Sequence, residues 1–180
     1  MGGQVNYEDT STHNGNNVFE SEKSALEKVI QKIVASTANN NELVDIIDDL
    51  NDYITDHPYR EIIGLEKKLN NGNRKELYPK ALLLKNRFER KIAKAQLSMV
   101  EQKVYVQILS HILSAFDQYI RPQILNSQPK ELVDATVFEK IIEPVHKAII
   151  DFDDCATKEL VSGMLYFLTG KCHIVWDKSC

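Results

Sequence analysis

Between Pro79 and Pro122 the chain carries neither proline nor glycine, a run of about 43 residues that would reach roughly 65 Å as one α-helix. A rod of that length exceeds a compact globule of 180 residues, so the later half is expected as the central bundle helix and the earlier half, with Lys80, Lys85, Arg87, Arg90, Lys91 and Lys94, either projects or turns at its polar stretch. Within it Ile92, Ala95, Met99, Gln102, Val106, Leu109, Leu113, Phe116 and Ile120 step alternately by three and four, the seam of a heptad pattern. A second stripe, Leu97, Val104, Ile108, Ile112 and Ala115, runs beside the first. Two adjacent stripes predict burial over a wide arc. Gln102, the one polar member of the seam, suits packing within the chain or a homo-oligomer equally well.

Other helices are expected around this rod. Ser24-Ala25-Leu26-Glu27 is a capping box, followed by Leu26, Val29, Ile30, Ile33 and Val34 at helical spacing. Asn41 is placed to cap a helix with Leu43, Val44, Ile46, Ile47, Leu50 and Ile54 on one side and the acidic row Asp45, Asp48, Asp49 and Asp52 on the other. Pro58 reads as the first residue of a further helix that ends at Asn70-Asn71-Gly72. Beyond Pro122, apolar spacing predicts a helix from about Pro129 that Pro144 kinks or divides, and Thr157 caps a last one closed by Gly170. Cys172 to Trp176 reads as a short extended segment, and no period of 20 to 50 residues repeats itself.

The expectation is therefore an all-α fold: a helical bundle around one long central helix, with a polar N-terminal tail and a short extended C-terminal segment. Residues 1–18 are rich in Asn, Gly, Ser and Thr and are read as a flexible tail, and 19–180 as a single helical domain. Seven Gly and five Pro are too few for the turns of a β-sandwich. No apolar run reaches the ~18 residues of a spanning helix, and the first residues lack the basic and apolar regions of a secretory leader. Met1-Gly2 opens like an acylation signal, but Asn6 stands where that motif requires Ser or Thr. Three cysteines, Cys155, Cys172 and Cys180, fit a reducing compartment better than a disulfide framework, so the expected location is cytoplasmic.

Few residue patterns in the chain point to chemistry. The phosphate-cradling glycine motifs, GxSxG and HExxH are all absent, so no cofactor and no catalytic residue is assigned. Ser127-Gln128-Pro129-Lys130 matches SxxK, but it straddles a proline turn that would not aim Lys130 at Ser127. Asp151-Phe152-Asp153-Asp154 offers oxygen ligands, yet Ala156 stands where a calcium-binding loop requires glycine. Cys172, His173 and Cys180 have the wrong spacing for a zinc finger, and buried packing of Cys172 and Trp176 is the better reading, so no metal is expected.

Charge is unevenly spread: −8 over residues 1–57, +7 over 58–103 and −3 over 104–180. The stretch 74–94 holds eight cations against Glu76 and Glu89, and Lys80, Lys85, Arg87, Arg90, Lys91 and Lys94 are its candidate nucleic-acid contacts. The competing reading is a salted helix face that meets the acidic helix near Asp48.

Ala81-Leu82 through Ile92, Phe116 to Ile124, Ile141-Ile142-Glu143-Pro144 and above all Gly163 to Trp176 carry a family pattern. Over about residues 75–176 the chain resembles the C-terminal helical domains of bacterial ABC three-component systems. The resemblance implies a subunit of an anti-phage or mobile-element conflict system, working beside a chromosome-maintenance-like ATPase and a small middle component. The domain would then be a non-enzymatic adapter, with Cys172, His173 and Trp176 as candidate protein contacts. The alternative is a nucleic-acid-binding accessory protein that uses the basic stretch.

Overall fold

The computed structural model describes residues 23–36, 44–93 and 97–178, so the 1–18 tail, Asn41, Lys94 and Ala95 lie outside the described residues. The fold is all-α. The helix α1 spans Ala25–Ser36 and opens on the expected box, with the Glu27 N–H donating to Ser24 Oγ at 3.2 Å and the Ser24 N–H donating back to the Glu27 carboxylate. Its Leu26 and Ile30 are buried against the helices that follow.

The second helix is shorter than its apolar pattern suggests. It covers Asp48–Ile54 (α2), and residues 44–47 are not helical, with Ile47 extended at ψ 151°. The cause is Gln102, which is fully buried. Its amide accepts from the Ile47 N–H at 2.8 Å and donates to the carbonyls of Asp45 at 3.0 Å and Val44 at 3.2 Å. Backbone groups pinned in this way are withdrawn from any helix ladder. The one polar residue of the seam thus fastens an extended segment onto the bundle.

Pro58 lies in a turn, and the third helix, α3, begins later, covering Gly64–Asn71. Here the chain's last segment competes for the backbone: the His57 N–H donates to the Lys171 carbonyl at 3.0 Å, and the Arg60 guanidinium donates to the carbonyls of Cys172 at 3.0 Å and His173 at 2.8 Å. A short 3₁₀ turn, Lys75–Leu77, leads into α4, Tyr78–Ala93.

The long breaker-free run is two helices. After α4, α5 restarts at Met99–Ala115 under a second capping box: the Glu101 N–H donates to Ser98 Oγ at 3.2 Å, and the Ser98 N–H donates to the Glu101 carboxylate at 2.8 Å. Ser98-Met99-Val100-Glu101 is a start signal embedded in an apolar run, where periodicity concealed it. Past Ala115 the path continues through a π turn, Phe116–Ile120, into α6, Arg121–Leu125, so Pro122 does not end it. The same device recurs in α7, Lys130–Val137, a π turn Phe138–Ile142, and α8, Glu143–Ile149, carrying the helix past Pro144. The two turns share a local sequence echo, Phe116 to Pro122 and Phe138 to Pro144, shorter than a repeating unit.

The last helix, α9, spans Lys158–Gly170 and shares the centre with α5. Gly163 lets α9 approach α4 closely, since a Cβ there would lie 2.6 Å from the Leu84 carbonyl oxygen. Phe88 of α4, fully buried, meets Tyr105 edge-on at 5.8 Å and Phe167 at 5.2 Å, tying α4, α5 and α9 together. Helices α1 and α2 pack on α5 from outside. Among the described residues no helix is long and apolar enough to cross a membrane.

Candidate functional site

A helix C-terminus exposes carbonyls without intrahelical partners. At the end of α9 they are met by a built cap. Cys172 takes a left-handed φ of 66°, turning the chain so that the His173 N–H donates to the Leu168 carbonyl at 2.9 Å. Lys68 of α3, only 3% exposed, reaches the same end, and its ammonium donates to the Thr169 carbonyl at 2.7 Å and the Ile174 carbonyl at 3.4 Å. A cation at this pole suits the helix dipole. Burial is the main influence on Lys68 and lowers its pKa from the ordinary lysine value.

Trp176 closes the segment. Its indole N–H donates to Thr169 Oγ1 at 3.0 Å, its ring meets Phe116 edge-on at 5.1 Å, and the Arg74 guanidinium lies over it at 4.8 Å. Arg74 is in turn held by Asp134 at 2.9 Å. Gly72 is required beside the indole, because a Cβ there would fall 2.6 Å from Trp176 Cβ. Of the three candidate contact residues, Cys172 and Trp176 are therefore placed inside this chain's own core.

His173 is the one that reaches the surface. Its Nε2 lies 3.2 Å from the Thr55 carbonyl, and its ring stands 5.7 Å from His57 and 5.9 Å from Tyr53. Burial, with the neighbouring His57 and Arg60 adding to it, lowers its pKa below the ordinary histidine value. The loop 55–63 arches over this cluster, with Tyr59 at 92% and Ile62 at 66% exposure. Its base is fixed by Arg60, by the His57 N–H and by Cys172 Sγ, which donates to the Glu61 carbonyl at 3.4 Å. Tyr59 carries no sequence signal, and Ile62 reads only as part of the apolar face of the helix expected from Pro58; the loop that exposes both is held by residues more than a hundred positions away.

The basic stretch is largely neutralised at home. Lys85 pairs with Glu89 at 2.5 Å, Lys91 with Asp153 at 2.8 Å and Arg87 with Glu159 at 3.3 Å, with Lys80 reaching the same carboxylate group at 4.0 Å. Arg90 is exposed and has no ion-pair partner among the described residues. The acids that Lys80, Lys85, Arg87 and Lys91 meet belong to α4 itself, to α9 and to the loop before α9; none of these pairs involves the acidic row of α2. Ser127 sits in a turn with φ 55°, and Lys130 pairs with Glu76 across to the 3₁₀ turn.

A cleft of about 1110 Å³ lies between α1, α5 and the loop 150–157. Ile30, Val34, Val100 and Phe152 give it apolar walls, and Tyr105, Asp151, Asp153 and Asp154 face it. Burial, then the negative charge of Asp153 and Glu101, raises the Tyr105 pKa above the ordinary phenol value, so the hydroxyl is neutral. Among the described residues no three His, Cys, Asp or Glu side chains converge as a metal site requires.

Residues 64–176 match the family described as C-terminal domain 9 of the ABC-three component (ABC-3C) systems, and the chain belongs to that family. These are multi-component conflict or defence systems. The matched span starts at the first residue of α3 and ends at Trp176, so it takes in the π turns and the terminal cap, with α1 and α2 ahead of it. No curated protein and no solved structure matches the chain.

Proposed function

We propose, from membership in that family, that the chain is a cytoplasmic, non-enzymatic adapter of a bacterial anti-phage or mobile-element conflict system. Its partner would be the chromosome-maintenance-like ATPase, with the small middle component assembled beside it. The observation that carries this reading is the loop 55–63. It holds a tyrosine and an isoleucine out in solvent on a base riveted to the terminal cap. Exposed aromatic and apolar side chains are the anchors around which interfaces concentrate their binding energy. A braced loop loses little entropy on docking, which favours affinity.

The test is co-expression with the two other components and co-purification. Tyr59→Ala with Ile62→Ser should abolish co-elution of the ATPase while leaving the thermal midpoint of the isolated chain unchanged, since neither side chain is packed in the core. An undiminished complex would overturn the reading.

The alternative, nucleic-acid binding by the stretch 74–94, draws its support from Arg90, exposed and without an ion pair among the described residues, and from the half-exposed Arg87. It requires DNA or RNA affinity that falls steeply with salt and is lost on neutralising Arg87, Arg90 and Lys91. Absence of binding at low salt removes it.

A further inference from the structure

The cleft between α1, α5 and the loop 150–157 has no role in the adapter reading, yet its chemistry is selective. Five carboxylates, Glu27, Glu101, Asp151, Asp153 and Asp154, line it against Lys91 as the single cation among the described lining residues. Three of the five are already engaged. Glu27 caps α1 through Ser24, Glu101 caps α5 through Ser98, and Asp153 accepts from the Cys155 N–H at 2.9 Å while pairing with Lys91. Asp151 and Asp154 are exposed at the rim and have no hydrogen bond or ion pair among the described residues.

Tyr105 supplies a second, independent observation. It is 1% exposed, it lines the same cleft, and its hydroxyl makes no hydrogen bond among the described residues. Buried tyrosine hydroxyls normally find a partner. Asp153 and Glu101 line the cleft together with it, and their negative charge acts on the hydroxyl. The cleft thus offers an outer pair of free carboxylates, an apolar midsection at Ile30, Val34 and Phe152, and an inner hydroxyl backed by two carboxylates. A concave surface of one charge sign concentrates its field on a counter-ion.

We propose that this cleft binds an aliphatic diamine or polyamine. One ammonium sits between Asp151 and Asp154, the methylene stem lies along Ile30, Val34 and Phe152, and the second ammonium donates to the Tyr105 hydroxyl. Anions are repelled by the same walls. A monoamine satisfies only one end.

The experiment is a nitrogen–proton correlation titration of the full chain with hexamethylenediamine at low ionic strength, with hexylamine and hexanediol as controls. Saturable shifts are expected at 27–35, 98–105 and 150–155, with the diamine about tenfold tighter than hexylamine. Asp151→Asn with Asp154→Asn should weaken binding about tenfold, and Tyr105→Phe about threefold. Tyr105→Phe should also leave the thermal midpoint of the free protein unchanged or raised, because the hydroxyl has no partner to lose. Equal affinity for hexylamine, or shifts of equal size along the acidic row of α2, would reduce the effect to unspecific attraction and overturn the proposal. So would a Tyr105→Phe variant that melts several degrees lower, which would show the hydroxyl already bonded without ligand.

Discussion

Replacing Gln102 by leucine tests the fold at the point where sequence and structure differ most. The side chain is fully buried and joins α5 to residues 44–47 through an acceptor bond at 2.8 Å and donor bonds at 3.0 and 3.2 Å. A further donor contact reaches the Leu97 carbonyl at 3.3 Å. Leucine fills nearly the same volume, so little cavity cost arises and the loss is that of the hydrogen bonds. At a net ~1 kcal/mol for each of the two shortest, Gln102→Leu should destabilise by about 2 kcal/mol. Residues 45 and 46 are exposed, so water recovers part of what the backbone loses, and the cost stays below that of sealed orphan groups. For a chain of this length the thermal midpoint should fall by about 4–8 °C. Gln102→Glu is the sharper variant: a carboxylate has no donor for the carbonyls of Val44, Asp45 and Leu97, and it should cost about 3 kcal/mol or more. Urea titration gives the energies, and hydrogen exchange at the Ile47 amide reports the latch directly. A Gln102→Leu protein within about 0.5 kcal/mol of the parent, with Ile47 equally protected, would refute the assignment.

Three further outcomes follow from the same packing. Gly163→Ala sets a methyl 2.6 Å from the Leu84 carbonyl oxygen, a backbone atom that yields only if α4 and α9 separate, so a loss of about 2 kcal/mol or more is expected in urea. Trp176→Phe keeps the ring contact with Phe116 but removes the donor to Thr169 Oγ1 and should cost about 1 kcal/mol, against about 4 for Trp176→Ala, measured by thermal melting. His111 and His173 both have pKa values lowered by burial, so below the ordinary value of 6.5 the unfolded chain binds protons that the folded chain refuses. Their contribution is complete above that value and declines as pH falls beneath it; the urea midpoint should drop between about pH 7 and about pH 5, and drop less in His173→Asn, whereas a flat profile contradicts the burial.

How much of this was readable beforehand depended on whether the deciding contact was local. The Ser24 and Thr157 caps act within one turn, and both are found where the sequence puts them. The Ser98 box is equally local, but it was masked by an apolar run that continues on both sides of it. The extended stretch 44–47 and the late start of α3 were illegible for a different reason: their backbone partners are Gln102 and the terminal segment, far along the chain. The candidate surfaces divide in the same way. Counting charges located the basic stretch but could not show that Glu159 and Asp153 would be folded against it. Cys172, His173 and Trp176 stand as protein contacts only through the family resemblance, and the structure places Cys172 and Trp176 inside. In sequence Asp151 and Asp154 read as oxygen ligands without a calcium loop's glycine, or as a solvated loop; Tyr105, which lines the same cleft, belongs to another helix.

The prolines show what a periodic reading can still recover. In an α-helix Pro122 and Pro144 would each remove an N–H and press their rings on the carbonyl four residues back. The π turns relieve this by passing the bond one residue further: the Arg121 N–H donates to the Phe116 carbonyl, and the Glu143 N–H to the Phe138 carbonyl. Each wide turn adds one residue, about 100° of helical phase. That addition explains the buried residues around it. Ile108, Ile112, Phe116, Ile120 and Ile124 follow one another in steps of four, as do Val133, Val137, Ile141, Val145 and Ile149. Four such steps would drift about 160° round a regular α-helix and carry the last residue to the solvent side. With about 100° absorbed in the π turn, the remaining ~60° fits inside the apolar stripe of a core-facing helix. A sustained four-residue spacing that runs on past a proline is therefore the sequence signature of a helix that widens and continues, and this chain carries it twice.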